Sequence, residues 1–399
     1  MPLISTIARA LAIGAAFLPV VRAGFDPRSS NNVVVYWGQN SYGAAEGPLM
    51  QQRLSHYCKD EKLDIIPLAF LTNMANPESL NFANRSPSEQ GCADVGRNDI
   101  KECQEVYGKT IVLSLGGEIT HGSGFASEAE AVQKAQKLWA AFGPPGALSA
   151  NRKFGNAVID GFDFDNEKPL SNMVPFAREL RRQMSESSKK DGKKYLLTAA
   201  PQCPFPDQNV GPLLSSDVPF DAVFIQFYNN PGCSAKAFVS GVKKQPGFNF
   251  ETWQNWAKQS KNPNVKVMVG VPSTPNAAGS GFISGEKLAE IVAYCKRFSN
   301  FGGVMFWDMT QAWSAPDILS KARAALGGSN PDAFPSPTPG QVMEIEVVWE
   351  KKEPEGLVHE WNQCDGKDWH GGHTCEDDLF CQRLSDWYSH CVSSGFRGQ

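Results

Sequence analysis

The sequence predicts an α/β fold, a (β/α)8 TIM barrel, followed by a small disulfide-stapled module at the C-terminus. Eight apolar, β-branched runs alternate with stretches of helical spacing over about 300 residues, the pattern of a parallel sheet closed on itself. No glycine-rich phosphate turn follows the first run, as an open doubly wound sheet would carry. Four of the ten cysteines crowd into about the last forty residues, where a separate stapled unit is expected.

Residues 1–23 read as a secretory signal peptide: Arg9 precedes an apolar run, 10–21, and Ala23 offers a small residue before a cut at Gly24. That run is too short to span a bilayer, which takes about 20 residues, so no membrane partner is expected. The mature chain is expected outside the cell or in the cell wall, where its cysteines pair as disulfides. A formal net charge of −4 without a basic cluster argues against nucleic acid. Asn84-Arg85-Ser86 is a glycosylation sequon in a loop-like stretch. A monomer without metal or cofactor is expected.

The strand candidates are 33–37, 65–71, 110–115, 157–164, 195–199, 222–226, 266–271 and 303–307, with helical spacing at 126–142, 171–188 and 285–298. Chemistry in such barrels sits at the C-terminal ends of the strands. The first run closes in Tyr36-Trp37-Gly38-Gln39-Asn40 and the third in Ser114-Leu115-Gly116-Gly117, where the glycines permit close approach of a neighbour or ligand. The fifth leads into Ala200-Pro201-Gln202, the sixth into Gln226-Phe227-Tyr228-Asn229-Asn230, and the eighth into Phe306-Trp307-Asp308.

The fourth run carries the most unusual pattern, Asp160-Gly161-Phe162-Asp163-Phe164-Asp165-Asn166-Glu167. Alternation along a strand points Asp163, Asp165 and Glu167 one way and the phenylalanines the other. Three neighbouring carboxylates repel, and burial adds to the penalty, so stability alone would not select them. A calcium site or solvated acidic edge is the alternative. Calcium loops, however, spread their ligands over a turning chain rather than interleaving them with Phe. Crowded carboxylates have their pKa values driven apart, which leaves one able to act as an acid near neutrality. Asp160 is out of phase and is expected to hold the strand end.

The spacing Asp160-x-x-Asp163-x-Asp165-x-Glu167 resembles the signature of family-eighteen glycoside hydrolases, the retaining chitinases. Tyr36 to Asn40, Ser114-x-Gly116-Gly117, 199–207, 226–231 and Gly302-Gly303-Val304-Met305-x-Trp307 resemble its hevamine-like, plant and fungal class III branch, over about residues 33–326. The resemblance implies an endochitinase acting on chitin or N-acetylglucosamine oligomers by substrate-assisted retention. Glu167 then protonates the glycosidic oxygen and later serves as base for water. The sugar's own acetamido oxygen attacks the anomeric carbon, steadied by Asp165 and Tyr228, with Asp163 sharing a proton with Asp165. Trp307 floors the sugar, and Gln226, Asn230, Tyr36, Gln202 and Gly117 are secondary contacts. The resemblance also implies Cys58–Cys103 and Cys203–Cys233 bridges and non-proline cis peptides at Ala69–Phe70 and Trp307–Asp308. Cys92 and Cys295 stay open between free and mutually paired. Only about thirty residues join the last two barrel strands, so an open groove is expected rather than a tunnel.

The barrel domain is assigned to 24–326. Residues 327–358 follow as a linker rich in Pro, Ser and Gly at its start, with a charged segment to which no role is assigned. The module, 359–399, is too small to bury a useful core without disulfides. Trp361, Trp387 and Tyr388 are too many aromatics for so small an interior, and on one face they would stack on successive sugar rings. The spacing of Cys364, Cys375, Cys381 and Cys391 with Trp387-Tyr388 resembles fungal family-one carbohydrate-binding modules. That likeness implies Cys364–Cys381 and Cys375–Cys391 pairing and an insoluble polysaccharide partner, cellulose or chitin. Asp365, Ser385 and His390 depart from the pattern, which leaves that preference open.

Overall fold

A computed structural model describes residues 24–83, 95–146, 152–327, 363–365, 374–375, 379–383 and 389–393. The chain divides into two compact units, Met1–Asp332 and Ala333–Gln399. In the first, eight parallel strands close into a barrel in chain order: β1 (Asn32–Val35), β2 (Ile65–Leu71), β3 (Thr110–Gly116), β4 (Gly161–Asp165), β5 (Leu196–Ala199), β6 (Ala222–Gln226), β7 (Lys266–Pro272) and β8 (Phe301–Trp307). Closure comes where β1 meets β8, with Val34 opposite Met305. β4 starts later than its apolar lead-in predicts. Ala157 turns back to bond Phe154, and Ile159 bonds the carbonyl of Phe142, so both are lost to the ladder.

The barrel is packed on both sides of its wall. Inside, Val34, Tyr36, Ile65, Phe70, Val112, Phe224, Met268 and Met305 fill one cluster. Outside, the strands' other face packs under the helices, and β4 is typical. Phe162 meets Trp139 and Phe142 of the helix Glu128–Phe142, and Phe164 meets Phe176 of the helix Met173–Asp191. Local chemistry sets the helix ends. Ser127 and Ser284 cap Glu128–Phe142 and Gly285–Cys295 by accepting backbone N–H groups, and Gly192 ends Met173–Asp191 in a left-handed conformation. Between β7 and β8 stand only the turn Pro275–Ala277 and the helix Gly285–Cys295, with no inserted sheet.

Disulfides join Cys58 to Cys103 and Cys203 to Cys233, while Cys295 is a buried free thiol. In the second unit Gln363–Asp365, Leu379–Arg383 and Ser389–Ser393 form a three-stranded sheet with the last strand in the centre. Cys364–Cys381 and Cys375–Cys391 staple it, and Cys364 and Cys391 are its buried centre. Among the described residues no helix is long and apolar enough to cross a membrane. The signal segment, Asn84, Cys92, the linker, Trp361, Trp387 and Tyr388 lie outside the described residues.

Candidate active site

Strand register decides which side chains meet inside the barrel. Ser114 on β3 and Thr198 on β5 stand opposite Asp163 on β4. All three therefore enter the interior at one level. Asp163, wholly buried, accepts hydrogen bonds from Ser114 Oγ, Thr198 Oγ1 and Tyr36 Oη, each 2.7 Å long. Burial pushes its carboxyl above the usual range, and the three hydroxyl donors pull it back.

One level higher, Asp165 stands opposite Gly116 and accepts a 2.9 Å hydrogen bond from Gln226 Nε2, which also bonds the carbonyl of Ala200. Burial first, then the charges of Glu167, Asp163 and Asp207, hold Asp165 well above the carboxylate range. Hydroxyls hold Asp163 and an amide holds Asp165, and the neighbouring charges that act on Asp165 are Glu167 and then Asp163, with which it is expected to share a proton.

Glu167 follows β4 by two residues and is half-buried at the barrel mouth. Burial, then the charges of Glu118 and Asp207, push its pKa up to about 7, against the opposing Lys168. The group thus carries a proton through most of the acidic and neutral range. Tyr228 is buried on the same side, and its hydroxyl has no hydrogen-bond partner among the described residues. Burial, Asp165 and Glu167 raise its phenol well above the usual value, so it remains a neutral donor.

Trp307 ends β8 half-buried, stacked on Phe70 at 5.9 Å and tilted against Tyr36 at 5.7 Å. The peptides Ala69–Phe70 and Trp307–Asp308 are both cis, as expected, and Phe205–Pro206 is a third. Asp308 then caps the helix Met309–Ser314. The glycine pair serves packing: a Cβ on Gly116 would lie 2.4 Å from the Asp165 carbonyl oxygen, and one on Gly117 2.6 Å from the Phe70 ring. Both have positive φ.

Several expected substrate contacts have protein partners. Tyr36 and Gln226 bond the acids, and Asn230 Nδ2 donates to Gln202 Oε1 at 3.0 Å. Asp160 sits at the opposite end of β4, where it accepts from the backbone of Ile111 and from Gln104 and pairs with Lys193. Sequence reasoning assigned no role to Ser114, Thr198, Asp207 or Glu118. Ser114 stood in the Ser114-x-Gly116-Gly117 motif without a role of its own, and Thr198 was signalled only as the one hydroxyl in the apolar strand β5. Asp207, buried, accepts the N–H groups of Gln202 and Asn209 beside the acids.

Cavities of about 690 and 620 Å³ open elsewhere, at the N-terminal ends of the strands around Asp64, Lys109 and Arg323 and around Asp221, Lys266 and Asn300. The side chains there bind loop carbonyls and one another, the stabilising work usual for that face of a barrel. One group among the described residues could gather a metal, Cys364, Cys375 and Cys391, and disulfides occupy all three.

A proton donor poised near neutrality, two buried acids and an unengaged phenol beside an aromatic plate form one constellation at the barrel mouth. The profile of glycosyl hydrolases family 18 matches residues 32–295 and so spans Asp163, Asp165, Glu167 and Tyr228. The chain belongs to glycosyl hydrolase family 18. This family-18 hydrolase is 44% identical over 336 residues to Endochitinase 33 of Trichoderma harzianum, covering 82% of this chain and 100% of that one. It is 41% identical to the class III chitinase of Arthroderma benhamiae, over 77% and 89% of the two chains. Among solved structures it resembles the ICChI chitinase of Ipomoea carnea, with a TM-score of 0.60, 28% identity and coverage of 74% and 100%. It also resembles the xylanase and α-amylase inhibitor protein of Scadoxus multiflorus, with a TM-score of 0.59, 29% identity and coverage of 73% and 97%. A second profile, the fungal cellulose binding domain, matches residues 360–388.

Proposed function

We propose that the protein is a secreted endochitinase that hydrolyses internal β-1,4 N-acetylglucosamine linkages by substrate-assisted, retaining catalysis, held on polysaccharide by its C-terminal module. The observation that carries this is the half-buried Glu167, its pKa raised to about 7, next to a second acid bonded to Gln226. Glu167 protonates the departing glycosidic oxygen. No side chain attacks: the acetamido oxygen of the sugar on the non-reducing side closes on its own anomeric carbon. Positive charge then builds on that ring, and Asp165, passing its proton to the deeper Asp163, offsets that charge and accepts the acetamido N–H. Tyr228, with a hydroxyl free of protein partners, donates to the acetamido group, and Trp307 supports the sugar. Glu167, now a carboxylate, takes a proton from the water that opens the intermediate, and the anomeric configuration is retained.

The curated relatives named as chitinases support the substrate, and the cellulose-binding profile supports an anchor on insoluble glycan. The short connection between β7 and β8 supports an open groove and internal cleavage. The likeness to an inhibitor protein supports a rival of another class, a non-catalytic binder on the same barrel. Retention of Asp163, Asp165, Glu167 and Tyr228 together favours the enzyme. Incubation with a soluble chitin hexamer, a glycoprotein and fully deacetylated chitosan separates the possibilities. Cleavage of the hexamer alone, with retained anomer in the first products, is expected. Cleavage of chitosan, or an inverted product, would reject the acetamido mechanism.

A further inference from the structure

The end of β3 places an acid where the proposed mechanism has no use for one. Gly116 pairs with Asp165, and the N–H of Gly117 donates to the Asp165 carbonyl at 2.8 Å, so the two strands leave the barrel side by side. Glu118 follows two residues after Gly116, as Glu167 follows two after Asp165. Beyond them Lys168 Nζ reaches the carbonyl of Thr120 at 3.4 Å, which keeps the two exits together. Glu118 is exposed, and among the described residues no cation pairs with it.

We propose that Glu118 is a positioning residue that acts through space on the general acid: a carboxylate fixed on the neighbouring strand exit that keeps the proton on Glu167 until the leaving sugar takes it. The proposal rests on Glu167 being that acid. The titratable and charged groups that act on Glu167 are Glu118 just after β3, Asp207 from the segment after β5, Tyr228 after β6, and Asp165 and Lys168 along its own chain. Glu118, Asp207 and the coupled Asp165 thus oppose its ionisation and Lys168 favours it. Of the charges that reach it from other strands, Glu118 acts most strongly. Asp207 is buried and tied to backbone N–H groups, whereas Glu118 is held only by its own strand exit and faces water. Its influence therefore passes partly through solvent and is open to screening by salt.

The test is the pH dependence of kcat/KM on a soluble chitin hexamer for the full-length protein, E118Q and E118D, at low and at 0.5 M added salt of roughly one-half-nanometre screening length. In E118Q the alkaline limb is expected to move down by about half a pH unit, so that the ratio of rates at pH 8 and pH 5 falls about threefold. E118D should recover most of that ratio, and salt should narrow the gap between wild type and E118Q. Superimposable alkaline limbs, or an equal loss at every pH, would overturn the proposal and leave only a structural part for Glu118. If wild type cleaves the hexamer but E167Q does so equally well, the assignment of the acid falls, and the proposal with it.

Discussion

At the scale of single residues, the proposed general acid just beyond β4 carries a stability penalty. Glu167 has a folded pKa of about 7 against an ordinary value of 4.5, so between these limits the folded state holds more proton than the unfolded one. Stability contributed by the protonated group is complete at low pH and declines as pH rises through that window. Glu167→Gln is therefore expected to abolish turnover by about three orders of magnitude or more while raising Tm at pH 8. At pH 4 the two proteins should melt together. Calorimetry at the two pH values, with hexamer hydrolysis alongside, checks both halves. Asn166 adds a separate cost. It is buried between Asp165 and Glu167 in the chain, and among the described residues neither its Oδ1 nor its Nδ2 has a hydrogen-bond partner. An unsatisfied buried amide is worth about 1–3 kcal/mol. Asn166→Leu is expected to stabilise the protein by an amount in that range, measured by urea unfolding. A loss of stability instead would mean that the amide is satisfied in solution.

At the scale of elements, the four acids were legible because one strand carries them at fixed spacing, and spacing within a strand is a local property. The cage around Asp163 was not legible. Ser114 and Thr198 lie 49 and 35 residues from it in the chain and meet it only through the register of β3, β4 and β5. Register is set by the whole closed sheet. The same limit hid Asp207 and Glu118, whose loops reach the acids only after the barrel closes. It also kept out of view that Tyr36 and Gln226, which the resemblance implies as secondary substrate contacts, bond the acids. The double variant Ser114→Ala with Thr198→Val leaves Asp163 with Tyr36 as its remaining hydroxyl donor. A hydrogen bond to a charged group contributes about 1.5–3 kcal/mol. Turnover is expected to fall at least about tenfold and Tm to drop, with the larger Tm loss at neutral pH, where Asp163 most needs its donors. Equal Tm losses at pH 4 and pH 7 would point to lost packing rather than to the carboxylate.

At the scale of the whole molecule, a barrel matching a glycosidase family and a stapled module matching a cellulose-binding family share one chain. The sequence between them is rich in Pro, Ser and Gly at its start, and we propose that it serves as a linker. In the proposed anchoring, a module resting on an insoluble polymer would present the barrel with glycan at an effective concentration set by the linker rather than by diffusion from bulk. The gain exists only on solid substrate, because a soluble oligomer brings no surface to hold. Trp387→Ala with Tyr388→Ala in the full-length protein removes two aromatic faces, each worth on the order of 1 kcal/mol or more against a sugar ring. Adsorption to crystalline chitin is therefore expected to weaken about tenfold or more, and sugar release from that solid to slow with it. Hydrolysis of a soluble hexamer should instead follow the barrel. A parallel adsorption series on crystalline cellulose decides which polymer the module prefers, a choice left open by Asp365, Ser385 and His390. Equal adsorption of variant and wild type on both solids would place the anchoring surface elsewhere in the chain.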